Sequence, residues 1–411
     1  MLRLLYFEIR KNYLKKFVVA SFLVFVVIDI LSIYDNYING DYGPFAYFLG
    51  HTEENRASLE FYTRMHNKLD GALTKEKADF VAGEDARLES ITKDGAYSRE
   101  YQPDSYTGYL WGDYVSFHTY FFKPMKYMAL YAANNRALVE KAVDNIAFYK
   151  KYGNNFEASK NEFIVRHYAN RNITYFFETR HWEKLLDYEL SNFLIFLLMI
   201  LGLAPIFVNE KETNMHALIV SNTCGRIDLS YIKALSSFIY IAFLVLVFSC
   251  INLFTFGLLY GFGGLNLPLY AIEEYQFTPF NGSVLSFYLT IVLLKLIGAT
   301  SFGMMILLAS SLSGRVIFPF VLSMLMFFSG MFLSGYMQSV VFSEIILAII
   351  SPFTLLKNNR IFMQLSGMNI GGRFFLISNV CALVQGIISV VLFLVIRKRA
   401  ARNTCVRSKV L

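Results

Sequence analysis

The sequence predicts an all-α integral membrane protein with six transmembrane helices and a separate, mainly helical domain outside the membrane. Of its 411 residues, 55% are hydrophobic, and the mean hydropathy is +0.42. Charged residues make up only 17% of the chain, whereas soluble domains usually carry about a quarter. Several apolar runs are long enough to cross the roughly 30 Å hydrocarbon core of a bilayer.

The six runs are spaced along the whole chain. They cover residues 17–34, 190–208, 234–260, 283–310, 316–334 and 374–396. The first run is too long for the apolar core of a typical signal peptide, contains Asp29 and lacks a small-residue cleavage site. We therefore expect residues 1–34 to form an interfacial helix followed by an uncleaved first span.

The net charge of +7 is distributed as membrane topology requires. Residues 35–189 contain 23 acidic and 19 basic residues, and the rest of the chain contains 8 acidic and 19 basic residues. The basic excess therefore lies beside the apolar runs, where the positive-inside rule explains it. We expect membrane lipids as neighbours and no nucleic-acid partner.

The basic clusters agree on one topology. Arg10 and Lys11 precede the first span, Arg315 follows the fourth, and the tail from Arg397 onward is rich in Arg and Lys. Because short cytoplasmic loops carry the basic residues, both termini are predicted to be cytoplasmic. The expected location is the plasma (inner) membrane of a bacterium, with residues 35–189 extracellular.

Residues 35–189 are long enough to fold as a domain of their own. Apolar residues recur in them at helical spacing, and all four cysteines lie elsewhere in the chain, so no disulfide is expected there. An aromatic cluster comprises Tyr106, Tyr109, Trp111 and Tyr114. It either contacts an extracellular ligand, such as a peptide or glycan, or packs as an aromatic core.

A polar loop, residues 209–233, separates the second and third runs within the segment 190–411. Glu210 and Glu212 stand in the first turn of a predicted helix, where acidic side chains favour the positive helix end. Met215 and Leu218 follow at helical spacing. We expect a short surface helix whose polar face meets a cytoplasmic partner.

Residues of this loop follow one another in a recognisable order. They are Phe207, Glu210, Glu212, Leu218, Ser221, Arg226 and Lys233. This order resembles the cytoplasmic loop of ABC-2-type transporter permeases, although Asn214 and Thr223 stand where that family usually has Gly and Pro. A second resemblance is Ser351-Pro352-Phe353 before the last span. The resemblance covers residues 1–34 and 190–411 but not the extracellular domain.

The resemblance implies a permease subunit of an ATP-driven exporter, working as two copies or with a homologous permease. The chain contains no G-x-x-x-x-G-K-[ST] phosphate loop, so ATP and Mg²⁺ would bind a separate ABC ATPase subunit. No cofactor, metal or catalytic residue is expected in this chain. The residues expected to couple it to the ATPase are Glu210, Lys211, Glu212, Met215, Leu218 and Arg226. The alternative is that these charges are only the solvated end of a helix.

Two ionisable residues lie within predicted spans. Asp29 is near the outer end of the first span, and Lys295 is near the middle of the fourth. Charges at membrane depth are costly and usually face protein or water. Both are candidates for a translocation path. Lys295 either pairs with Asp29, which would require snorkelling because their depths differ, or contacts an anionic substrate.

Other classes of function stay open. A bulky or amphipathic cargo, such as an antimicrobial peptide, would suit the large extracellular domain. A ligand-sensing scaffold or receptor is one alternative, and an integral membrane enzyme acting on lipid or cell-wall precursors is another. The enzyme would depend on Glu273, Glu274 and Glu344, the acids expected near the outer surface. Glu178 and His181 lack a second pair of metal ligands.

Overall fold

A computed structural model describes residues 2–39, 64–95, 110–213, 226–336, 342–357 and 359–405. It is about 80% helical, which confirms the prediction of a mainly α-helical protein. The described residues also contain two short antiparallel strand pairs. The sequence pattern predicted neither pair.

The helices differ widely in length. In chain order they are α1 (Leu2–Asn12), α2 (Lys16–Asn39), α3 (Lys75–Gly95), α4 (Leu110–Phe117), α5 (Lys123–Lys151), α6 (Asn155–Tyr168), α7 (Arg180–Asp187), α8 (Leu190–Leu203), α9 (Val208–Glu212), α10 (Arg226–Tyr260), α11 (Val284–Leu312), α12 (Ile317–Tyr336), α13 (Phe342–Ile350), α14 (Asn359–Met363) and α15 (Ile377–Cys405). A π-helical turn, His118–Phe122, joins α4 to α5. The strands are β1 (Gly71–Ala72) with β2 (Tyr175–Phe176), and β3 (Gly367–Ile370) with β4 (Arg373–Leu376), both antiparallel.

Five helical segments are long and apolar enough to cross a membrane. They are Lys16–Tyr37, Arg180–Glu212, Leu229–Tyr260, Val284–Leu312 and Ile377–Arg399. The remaining predicted run lies in α12, whose apolar part, Ile317–Phe332, is shorter than these five. The chain is therefore a multi-pass membrane protein, and the sixth span stays a prediction.

Helix α11 packs closely against its neighbours because small residues face them. A Cβ atom on Gly303 would lie 2.4 Å from Cδ1 of Ile241 in α10. A Cβ on Gly298 would lie 2.8 Å from the carbonyl oxygen of Pro352. Small residues of this kind let membrane helices approach closely, which offsets the weak hydrophobic driving force in lipid.

After α12, helix α13 packs against α15, and the turn that follows it packs against α11 and α12. The Ser351 hydroxyl accepts a hydrogen bond from the Phe353 backbone nitrogen at the start of the 3-10 turn Pro352–Leu355. Phe353 is buried and contacts the rings of Phe196, Phe302 and Phe327. The turn is therefore a buried part of the helix packing.

The described residues between α2 and α8 build a second core. Phe117, Phe121, Met125 and Met128 lie at helical spacing along α4 and α5, and all are buried. Helix α5 packs along α6, and β1 pairs with β2. We call this unit, residues 64–95 and 110–179, the apical domain, and the end of the membrane helices beside it the apical end. The opposite end, where α1 lies, is the basal end.

Candidate functional site

An ion cluster lies at the basal end, where α1, α9 and α10 meet. The Glu210 carboxylate oxygen Oε1 is 2.6 Å from Lys233 Nζ and 2.9 Å from Lys11 Nζ. Glu210 and Lys233 are only 4% and 1% exposed. Glu8, also buried, lies 3.9 Å from Lys11 Nζ. We call Glu8, Lys11, Glu210 and Lys233 the basal ion cluster.

Further contacts of Lys233 reduce the cost of burying its charge. Its ammonium group donates a hydrogen bond to the Ile206 carbonyl oxygen at 3.1 Å and lies 4.9 Å from the Phe207 ring centroid. A buried ion pair is tolerated only when its remaining polar atoms are satisfied. Helix α9 thus supplies Lys233 with a carboxylate, and the turn before α9 supplies a carbonyl oxygen and an aromatic face.

Helix α1 is held to α10 by polar and aromatic contacts beyond this cluster. The Tyr13 ring stacks on Tyr240 with centroids 4.2 Å apart, and its hydroxyl lies 2.9 Å from Ser237 Oγ. Asn12 donates a hydrogen bond to Glu8 at 2.9 Å. The interfacial helix predicted from the sequence is therefore also a packed part of the protein, and Lys11 faces Glu210.

The predicted coupling residues divide into three groups. Glu210 is directed into the protein. Lys211 donates hydrogen bonds to the carbonyl oxygens of Ser311 and Ser313 at the C-terminal end of α11, and exposed Glu212 accepts one from the Val316 nitrogen. Met215 and Leu218 lie outside the described residues, and Arg226 begins α10, where only the backbone is described. The described loop residues therefore bind other parts of this chain.

Asp29 is fully buried among neutral polar groups. The Tyr188 hydroxyl donates to Asp29 Oδ1 at 3.0 Å. With its amide oriented so that the oxygen accepts from Ser191, Asn252 donates to Asp29 Oδ2 at 2.7 Å. Lys295 is half-buried and forms no ion pair with Asp29 or with any other described residue. Pairing of Asp29 with Lys295, which the sequence left open, is therefore not seen.

The aromatic cluster of the apical domain is only partly described. Tyr106 and Tyr109 lie outside the described residues, and Trp111 lies in α4 with only its backbone described. Tyr114 is half-buried, packs against the apical core and has its ring 5.5 Å from that of His118. For Tyr114, these contacts favour the packing interpretation.

The structure pairs Glu178 with a different histidine from the one the sequence placed beside it. Glu178 Oε2 lies 2.9 Å from His66 Nε2, and Asp70 Oδ1 lies 3.3 Å from Nδ1 of the same ring. Burial alone would lower the pKa of His66, but its hydrogen bonds with both carboxylates outweigh it and raise this pKa to about 9. Among the described residues, no group of three or more His, Cys, Asp or Glu side chains is arranged to hold a metal ion.

Comparison of the chain with models of known protein families found no match, and comparison with curated protein sequences found none either. The basal ion cluster is therefore interpreted from its own geometry. It joins α1, the turn into α9 and α10, while Lys211 and Glu212 join α9 to the link between α11 and α12. Movement of α9 would consequently act on several membrane helices at once.

Proposed function

We propose that the protein is the membrane-spanning permease subunit of an ATP-driven exporter of the ABC-2 type. The observation that carries the proposal is the basal ion cluster, because Glu210 connects the loop after α8 to both α1 and α10. A permease needs such a connection to convert a push on its loop into movement of its helices. The order of loop residues, which resembles that family, supports the same proposal.

The mechanism proposed uses contacts within the chain. An ABC ATPase subunit, which binds ATP and Mg²⁺, presses on the loop that contains Met215 and Leu218. The displacement passes through Glu210 to α10 and α1, through Lys211 to the end of α11, and through Glu212 to the start of α12. Glu210 therefore acts as an internal connector, and the contact with the ATPase falls to the loop residues beyond Glu212.

The remaining parts of the proposal concern assembly and location. We propose six spans with both termini in the cytoplasm of a bacterium and the apical domain outside its plasma membrane. Two copies, or this chain and a homologous permease, would enclose the pathway, in which Asp29 and Lys295 take part. The cargo is bulky or amphipathic, with an exported peptide as the leading candidate.

Co-purification with an ABC ATPase encoded beside this chain tests the proposal. We expect a stable complex whose ATP hydrolysis changes when the permease is present. Leu218→Asp, on the predicted apolar face of the loop, should weaken that complex by about tenfold or more in dissociation constant. Phe80→Asp, the same change at an exposed position of the apical domain, is the matched control and should have no effect. Failure of the ATPase to bind, or equal binding by both variants, would contradict the proposal.

A ligand-sensing scaffold is the second candidate. The observation that favours it is a cleft of about 420 Å³ beside the apical domain, lined by residues of α5, α7 and the link from α10 to α11. Such a scaffold would bind its ligand with no ATPase subunit, so the co-purification experiment separates it from the exporter. The enzyme alternative gains less support. Glu273 and Glu274 are exposed and adjacent, while the side chain of Glu344 lies outside the described residues.

A further inference from the structure

A cleft of about 420 Å³ opens between the apical domain and the link from α10 to α11. Three chain segments form it: residues 119–127 in the π-helical turn and the first turn of α5, residues 176–183 from β2 into α7, and residues 271–276 of the link. The aromatic and charged side chains that line it include Tyr120, Lys123, Phe177, Glu183, Glu273 and Glu274. A cleft of this volume falls within the range of small-ligand sites, about 300–1,000 Å³.

Specific hydrogen bonds hold the walls of the cleft together. The Tyr127 hydroxyl donates to the Tyr270 carbonyl oxygen at 2.7 Å, which fixes α5 against the link. Buried Arg171 donates to Asn281 Oδ1 through Nε at 2.8 Å and to the Thr278 carbonyl oxygen at 2.7 Å. Trp182 donates to the Gly263 carbonyl oxygen at 2.6 Å. The cleft is therefore a defined concavity between docked segments.

Carboxylates outnumber cations in this cleft. It is lined by Glu178, Glu183, Glu273 and Glu274, against Lys123 and Arg180. Glu178 is already paired with His66, and Glu183 accepts a hydrogen bond from Thr179 at 3.3 Å. Glu273 and Glu274 are exposed and form no ion pair with any described residue. Their charges are therefore available to a cation entering the cleft.

The aromatic wall already holds a cation of the protein itself. The Arg180 guanidinium carbon lies 4.4 Å from the centroid of the Tyr120 ring. Cations over aromatic faces at this distance are attracted by the ring quadrupole. Phe176 and Phe177 extend the apolar lining. The cleft thus combines aromatic rings with unpaired carboxylates, the chemistry that accommodates the alkyl stem and charged end of Lys or Arg.

We propose that this cleft binds a short cationic segment of a peptide, about two residues long. The Lys or Arg ends would meet Glu273 and Glu274, and the alkyl stems would pack against Tyr120 and Phe177. This inference rests on the proposed function, because the proposed export activity is the reason for identifying the bound peptide as cargo. A bound segment would bridge the apical domain, the entry to α8 and the link from α10 to α11.

Binding of N-acetyl-tri-lysine amide to the purified full-length chain, without any ATPase, tests the inference. Calorimetric titration should show saturable binding that weakens as NaCl concentration rises, because the charges are partly solvent-exposed. Glu273→Gln combined with Glu274→Gln should weaken it by about tenfold. Glu76→Gln combined with Glu140→Gln changes the net charge equally at exposed sites outside the cleft, and this control should bind as the parent does.

A second variant keeps the test independent of folding. Lys123→Gln removes a positive charge from the cleft and should tighten tri-lysine binding. The inference is overturned by absence of saturable binding, by equal weakening in the cleft and control variants, or by preference for N-acetyl-tri-glutamate amide. The titration contains no ATPase, so absence of tri-lysine binding would not affect the co-purification result. Equally, failure to co-purify with an ATPase would not affect the tri-lysine result.

Discussion

Glu210 and Lys233 form a buried ion pair, with Oε1 and Nζ 2.6 Å apart, and Lys11 approaches the same oxygen from α1. The residues stand on different helices, so this contact fixes the relative position of α9 and α10. Removing Glu210 leaves the Lys233 ammonium group buried without its carboxylate partner, and an uncompensated buried charge is strongly destabilising. The stability of the basal end therefore depends on a contact between residues that are distant in sequence.

Glu210→Gln should lower the free energy of unfolding by about 3–5 kcal/mol, since it leaves Lys233 buried without its carboxylate. Glu189→Gln is the control. It breaks a more exposed ion pair with Lys357, 2.6 Å long, and should cost under about 1 kcal/mol. Thermal unfolding of both variants in the same detergent gives the comparison. Equal losses would show that the basal pair contributes no more than an exposed one.

Exchanging the charges tests whether Glu210 acts inside the protein. Glu210→Lys combined with Lys233→Glu should recover part of the stability that Glu210→Lys loses alone, because an ion pair can form again. Lys11 then faces a lysine, so recovery should be incomplete. Size-exclusion profiles and unfolding temperatures measure it. No recovery at all would indicate that Glu210 acts through another contact.

Arg171→Lys should loosen the apical domain from the link between α10 and α11. Arg171 contacts Asn281 through two nitrogens, and a lysine ammonium group does not reproduce that planar geometry. Limited proteolysis should cut the link, residues 261–283, several-fold faster than in the parent. Arg166→Lys, at an exposed position of α6, should leave the rate unchanged. Equal rates in both variants would contradict the docking role.

His66 should make stability depend on pH. Its pKa in the folded protein is about 9, above the ordinary value of 6.5, so protonated His66 stabilises the fold. That stabilisation is complete below pH 6.5 and is lost as pH rises through 9. The unfolding temperature of the parent should fall over this interval. His66→Gln should reduce that fall, whereas His167→Gln, at a histidine bonded to the Phe163 carbonyl oxygen, should retain it.

Gly330→Ala should destabilise the packing of the Ser351-Pro352-Phe353 turn by about 1–3 kcal/mol. A Cβ atom at Gly330 would lie 2.2 Å from Cδ2 of Phe353, a ring already enclosed by three others. Gly386→Ala is the matched control in α15, where nothing lies within 4 Å of the added atom. Thermal unfolding distinguishes them. An unchanged Gly330→Ala protein would mean that Phe353 has room to move.

Sequence patterns predicted those features that depend on neighbouring residues. Five apolar runs became helices of spanning length because hydrophobicity and length are local properties. The partners of Glu210 were not predicted, since Lys11 is 199 positions away and only tertiary packing brings it near. Asp29 was singled out as a buried charge, but its neighbours are distant in sequence: Tyr188 lies in the link between α7 and α8, and Asn252 lies in α10. The cleft was missed for the same reason, as its walls are distant in sequence.

The separation of Lys11 from Glu210 also orders events during synthesis. Ribosomes add about 5–20 residues per second, so α1 emerges about 10–40 s before the carboxylate that will hold it. Lys233 follows only after a further stretch of chain. During that interval α1 has no counter-charge from α9. Its amphipathic sequence can bind the bilayer surface until α9 is made. Formation of the basal ion cluster is therefore a late step in biogenesis. A mutation that slows insertion of α8 or α10 would delay it.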